Sequence, residues 1–122
     1  MKKENYKFYI LGDPYNRFNY CKVGITKNIK KRFNHIVTQC PRRQIYLPEG
    51  LSVHSLYSIP NREEALLIEK QILNKFSNRK ADTRTLGWIK VKSGIVDVCF
   101  DVIVDKLGLE YEMNNFSYIR WC

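Results

Sequence analysis

Apolar and polar positions run through this chain in two rhythms. Near the start, "YKFYIL" is a dense aromatic and β-branched run that ends at the turn signal "GDP". "NYCKVGIT" reads as its hairpin partner, with "GDPYNRFN" as the connection. Gly24 stands inside that second strand, where it weakens the strand and marks either a bulge or a close approach to the backbone. The rhythm then turns helical. Ile29, Phe33, Ile36, Val37 and Cys40 fall along one stripe, Thr26 or Asn28 can cap its start, and Pro41 stops it. Lys27, Lys30 and Lys31 lie off the stripe, whereas Arg32 and His35, three apart, share its border.

After the basic, proline-containing loop "PRRQIYLPEG", "LSVHSLYSI" predicts a third strand. The next segment, "PNREEALLIEKQILNKF", has Asn61 as cap and Glu64 three residues on, a capping-box pattern. Its apolar face consists of Ala65, Leu66, Ile68, Ile72, Leu73 and Phe76, and Glu69 is expected in the middle of it. An ionised carboxylate there is costly unless it is paired, hydrogen-bonded or bound to metal. "NRKADTRTLGWIKVKSG" is a basic turn region ending in the strand-like "GWIKV". "IVDVCFDVIVDKLGL" predicts a third helix stopped by Gly108. Asp97, Asp101 and Asp105 recur along that helix at four-residue spacing, the pattern of a solvated edge rather than a metal rail. The element order is therefore β-β-α-β-α, then a short strand and a C-terminal helix: an α+β fold. Residues 1–108 form the domain, and the aromatic tail 109–122 is expected to dock on it.

A length of 122 residues suits one domain with a single core. No apolar run approaches the ~20 residues that span a bilayer, and the N-terminus has no secretory pattern, so a cytoplasmic protein is expected. The net charge of +9 points to an anionic partner: nucleic acid first, a membrane surface or acidic protein second. Cys21, Cys40, Cys99 and Cys122 are scattered with no paired spacing. They read as free thiols, and no zinc-ligand pattern joins them to His35 or His54.

Tyr9, Lys22, Arg32 and Glu69 make a set suited to phosphodiester chemistry. Cleaving such an ester needs an activated water, cations against the charge on phosphorus, and a route out for the leaving oxygen. Lys22 beside Tyr9 would favour the phenolate and lower the tyrosine's pKa, so activity should rise with pH as Tyr9 titrates. Arg32 offers a planar fork to two phosphate oxygens. A single Glu can hold a Mg²⁺ ion that keeps most of its waters. Read alone, each residue also has a plain role: strand side chain, border of a basic helix, salt-bridged carboxylate.

The ordered segments "FYIL", "KVGIT-KNIKKRF", "EEALLIEKQILNKF" and "GW" resemble the GIY-YIG nuclease family, in particular its phage-associated branch whose second motif reads Lys-Ile-Gly. The likeness covers roughly residues 6–91. It implies a small three-stranded antiparallel sheet flanked by helices. Tyr9 would be the general base or proton relay, Lys22 would take the place of a second tyrosine, and Gly24 would be the motif glycine. Arg32 would steady the pentacovalent phosphate, His35 would be auxiliary, and Glu69 would bind the metal, Mg²⁺ or Mn²⁺. This sequence departs from the pattern at Lys7 and Phe8, which replace Gly-Ile; at Lys22; and at Gly87, where an acidic residue commonly precedes the tryptophan. No clear counterpart of the last-motif asparagine is found, although Asn74 and Asn78 are near.

The expected function is a divalent-metal-dependent endonuclease acting on DNA, most simply double-stranded. Lys27, Lys30, Lys31, Arg42, Arg43, Arg79, Lys80 and Arg84 would hold the phosphate backbone. So small a domain offers little reading surface, so a homodimer or partner protein would supply specificity. Two alternatives stay open: a nucleic-acid-binding module on the same fold without turnover, and a module that binds a protein partner through its aromatic tail.

Overall fold

The computed structural model describes residues 6–12, 19–39, 52–79 and 88–113. Strands β1 (Tyr6–Gly12) and β2 (Cys21–Thr26) are followed by helix α1 (Ile29–Gln39) and strand β3 (Ser52–Ile59). Helix α2 (Arg62–Lys75), strand β4 (Trp88–Ile89), helix α3 (Ser93–Leu107) and strand β5 (Glu112–Met113) complete the order. The fold is α+β, with one sheet in the order β4-β2-β1-β3-β5 and every pairing antiparallel.

Among the described residues the sheet has five strands: the three of the expected sheet, the short strand expected after α2, and β5, which was not expected. β4 adds two residues to the outer edge of β2, and β5 adds two to the outer edge of β3. The three long strands remain the body, and β1 is central, which fits its fully buried Phe8, Ile10 and Leu11. The bulge that Gly24 suggested lies elsewhere, where the β1–β3 register shifts between Ile10 and Leu11.

One face of the sheet carries Phe8, Ile10, Cys21, Val23, Tyr57, Ile59 and Ile89. It packs against Ala65, Ile68 and Ile72 of α2 and Val96, Phe100 and Val104 of α3 to form the main core. The other face carries Tyr9, Leu11, Lys22, Gly24, Leu56 and Trp88, by strand alternation and the paired register. A two-residue period thus places the core cluster and the set Tyr9, Lys22 and Trp88 on opposite sides of the same strands.

The helix starts follow the sequence. Asn28 Oδ1 accepts from the Lys31 amide at 3.1 Å and caps α1, while Thr26 Oγ1 accepts from the Asn28 amide at 3.2 Å in the turn before it. Asn61 Oδ1 accepts from the Glu64 amide at 2.9 Å and caps α2. Gly108 ends α3 in the left-handed conformation at φ 66°, which explains a glycine there. α3 begins at Ser93, two residues before the apolar run that predicts it. Its outer edge is solvated, as the carboxylate spacing suggests, and two of those carboxylates hold tyrosines. Tyr57 donates to Asp97, and Tyr111 donates to Asp101 at 3.4 Å. Tyr111, just before β5, meets Tyr57 and Phe100 edge-on, with ring centroids at 5.3 and 5.2 Å. No helix among the described residues is long and apolar enough to cross a membrane.

Candidate functional site

Register explains Gly24. Tyr9 pairs with Gly24 across β1 and β2, and its ring lies directly over the glycine. A Cβ built there would fall 2.2 Å from the Tyr9 hydroxyl oxygen and 2.5 Å from Cζ. Backbone freedom is not the reason, because Gly108 alone among the described glycines has positive φ. The strand gives up a side chain so that a tyrosine can lie flat across it.

The Tyr9 hydroxyl meets α1. Arg32 Nε donates to Tyr9 Oη at 3.3 Å. Tyr9 is about 1% exposed, and burial raises its pKa above 10.0. The Arg32 guanidinium pulls the other way and Glu69 adds to the rise, but burial prevails. This corrects the expectation of a tyrosine lowered by Lys22. The lowering influence comes from Arg32, and the phenol stays protonated at neutral pH.

Glu69 sits on the border of the α2 core face, half-buried, rather than in its middle; Ala65, Ile68 and Ile72 hold the buried centre. Burial raises its pKa above 4.5, opposed by the positive charges of Lys22 and Arg32. The same carboxylate acts on Tyr9, so Glu69 lies within electrostatic reach of the other three groups, and Arg32 within reach of Tyr9. They come from four separate elements: β1, β2, α1 and α2.

Lys22 is 2% exposed, unusual for a cation. It pairs in register with Trp88 of β4, and its Nζ stands 5.8 Å from the centre of that indole ring. Tyr20 backs the indole from 5.9 Å at a tilted angle. Trp88 therefore belongs to the site's wall, a role sequence reasoning missed. The "GW" signal was present, but nothing in it says which strand the tryptophan will join. Its Nε1 is buried with no hydrogen-bond partner among the described residues, an unfavourable arrangement for a buried donor.

Beside Arg32 lies a cleft of about 330 Å³, lined by Thr26, Lys27, Asn28, Lys31, Arg32 and His35. Arg32 joins the two features, touching Tyr9 on one side and the cleft on the other. His35 is exposed and lines this cleft with Arg32. Lys30 is exposed on α1 outside the lining, and Arg79 is exposed in the 3-10 turn Ser77–Arg79. Arg42, Arg43, Lys80 and Arg84 lie outside the described residues.

No group of three or more His, Cys, Asp or Glu side chains able to hold a metal occurs among the described residues. Among the described residues Glu69 belongs to no such group, and the charges that act on it are the cations Lys22 and Arg32. Cys21 offers no nucleophile: it is buried in the core, and burial pushes its thiol up to about 12.

Comparison with known proteins gives one match. No curated protein and no solved structure matches the chain. A protein-family model described as the T5orf172 domain matches residues 7–104, an interval containing Tyr9, Lys22, Arg32, Glu69 and the cleft-lining residues. The chain belongs to the T5orf172 domain family.

Proposed function

We propose that this protein is an endonuclease of GIY-YIG type that hydrolyses DNA phosphodiester bonds with Mg²⁺ or Mn²⁺. The observation that carries the reading is the convergence of a phenol, a guanidinium, an ammonium and a carboxylate beside a cationic cleft. Membership in a phage-associated, nuclease-like domain family supports it, as does the net charge of +9.

Each residue has a task its surroundings suit. Arg32 presents two parallel donors to phosphate oxygens, and its stabilisation grows as charge builds on phosphorus. Tyr9, neutral and accepting from Arg32 Nε, keeps its own proton. It orients the attacking water and passes that water's proton on to solvent in exchange for its own, ending neutral again, which is a different task from deprotonating water as a free phenolate. Lys22 is too buried to grip substrate, and acts through its charge on Glu69 and the incoming phosphate. Glu69 is the residue to hold a divalent ion. A carboxylate outside any cluster of three or more ligand side chains among the described residues fits Mg²⁺, which keeps several waters and shares its binding with substrate phosphates, better than it fits a closed protein site. Such an ion would supply charge against the leaving 3′ oxygen.

The alternative, a nucleic-acid-binding module without turnover, draws on that same carboxylate and on Gly87 before Trp88. Nicking of supercoiled plasmid with Mg²⁺ or Mn²⁺ separates the two. Glu69→Ala should slow nicking by at least about a hundredfold, the scale of a lost transition-state charge contact. Equal nicking by both proteins would refute the site. Steeply salt-dependent binding with no nicking by wild type would leave the binding module.

A further inference from the structure

The cleft beside Arg32 has a composition of its own. Asn28, Lys31, Arg32 and His35 are spaced i, i+3, i+4 and i+7, so they form one face of α1, and Thr26 and Lys27 lead into it. The lining contains no carboxylate and no Phe, Tyr or Trp; its one ring is the imidazole of His35. It offers no large aromatic platform for a base, and every group in it is neutral polar or able to carry positive charge. Its volume of about 330 Å³ exceeds what one phosphate needs and falls at the low end of ligand sites.

Position matters as much as composition. Arg32 Nε is turned to Tyr9 Oη, so a phosphate undergoing cleavage must sit at that junction, within reach of Glu69. Lys27 and Lys31 lie before Arg32 in the chain, and His35 lies three residues beyond it, about 4.5 Å along the axis. Phosphates of one strand follow each other at about 3.4 Å of axial rise, and farther along the backbone path. A strand held at Arg32 therefore carries its next phosphate into the cleft.

We infer that this cleft is a second phosphate subsite, and that the ligand is a nucleic-acid strand with two consecutive phosphodiesters. The inference rests on the nuclease reading for the position of the first phosphate. His35 then binds backbone instead of assisting the chemistry. Recognition is independent of base sequence, and chain-internal linkages are preferred over a single isolated diester.

The test compares a thymidine dinucleotide, with one phosphodiester, and a trinucleotide, with two. Both carry non-hydrolysable phosphorothioate links, and binding is titrated by NMR without divalent metal. The full chain should bind the two-phosphate ligand about tenfold more tightly, and Lys27→Ala with Lys31→Ala should narrow that ratio to about twofold. Lys70→Ala with Lys106→Ala, exposed cations on other helices, should leave the ratio unchanged. Equal affinities, no binding of either ligand, or a ratio that survives loss of both cleft lysines would each overturn the subsite. Plasmid nicking reports on the nuclease reading separately. A preserved ratio without nicking keeps the cleft and removes the enzyme, and nicking without the ratio does the reverse.

Discussion

Tyr9 and Tyr57 sit on neighbouring strands of one sheet, each about 1% exposed, and they face opposite ways. Tyr57 lies in the core, stacked on Phe100 with ring centroids 3.9 Å apart, and donates its proton to Asp97. Burial raises its pKa, and the carboxylate raises it further. Tyr9 lies over a glycine, and its oxygen accepts from a guanidinium that works against the burial effect. A buried phenol is thus no mark of chemistry by itself. The sign of the partner's charge decides: an anion fixes the proton as a structural bond, whereas a cation leaves the proton available to a substrate.

The sharpest way to break this comparison is through the glycine beneath Tyr9. Gly24→Ala places a methyl group 2.2 Å from the Tyr9 oxygen, so the ring must move off Arg32. A displacement of about 1 Å at a reacting group can lower the rate about a hundredfold, and nicking by this variant should fall by that order. Overpacking should also lower stability by about 1–3 kcal/mol in chemical denaturation. Gly108→Ala makes the control. It forces a left-handed residue at the end of α3, costing about 1–2 kcal/mol, with nothing near its Cβ, and should leave nicking intact. Similar rates in the two variants would mean that the position of Tyr9 does not matter.

A smaller separation comes from changing the partners. Arg32→Lys keeps the charge but loses the planar fork, so nicking should fall more than about tenfold, or about 1.4 kcal/mol of barrier. Tyr57→Phe removes the bond to Asp97 and should cost about 1–2 kcal/mol of stability with no change in rate. Should Tyr57→Phe slow nicking as much as Arg32→Lys does, the two faces of the sheet are not divided as described.

Much of this was legible in the chain. The hairpin, the caps at Asn28 and Asn61, and the stop at Gly108 rest on local chemistry that neighbours a few residues apart can report. Gly24 inside a strand and Glu69 near an apolar face were legible as anomalies, because each is locally unfavourable and needs a distant reason. Burial depth was not legible. The direction of the Tyr9 shift depends on how much protein closes over the ring, and no residue spacing reports that. Nor were the partners of Trp88 and β5, since a two-residue strand carries too little pattern to choose an edge.

The gentlest test concerns Glu69 and the stability the site gives up. Its carboxyl has a pKa raised above 4.5 in the folded chain, chiefly by burial. Between the unfolded and folded values the native state holds the extra proton, so stability falls as pH rises through that window. The loss then persists at neutral pH. Glutamine has the same shape and no charge to desolvate, so Glu69→Gln should melt slightly above wild type at pH 7, with the gap closing toward pH 4. The attraction of Lys22 and Arg32 opposes this, and partial exposure screens both effects, so the gain should be small. Nicking by wild type should rise with pH over the same window as the carboxylate ionises, then level off well before the raised pKa of Tyr9. A Glu69→Gln protein that melts lower at pH 7 than at pH 4, relative to wild type, would show the carboxylate to be a structural ion pair, and the contrast between the two sheet faces would lose its chemical side.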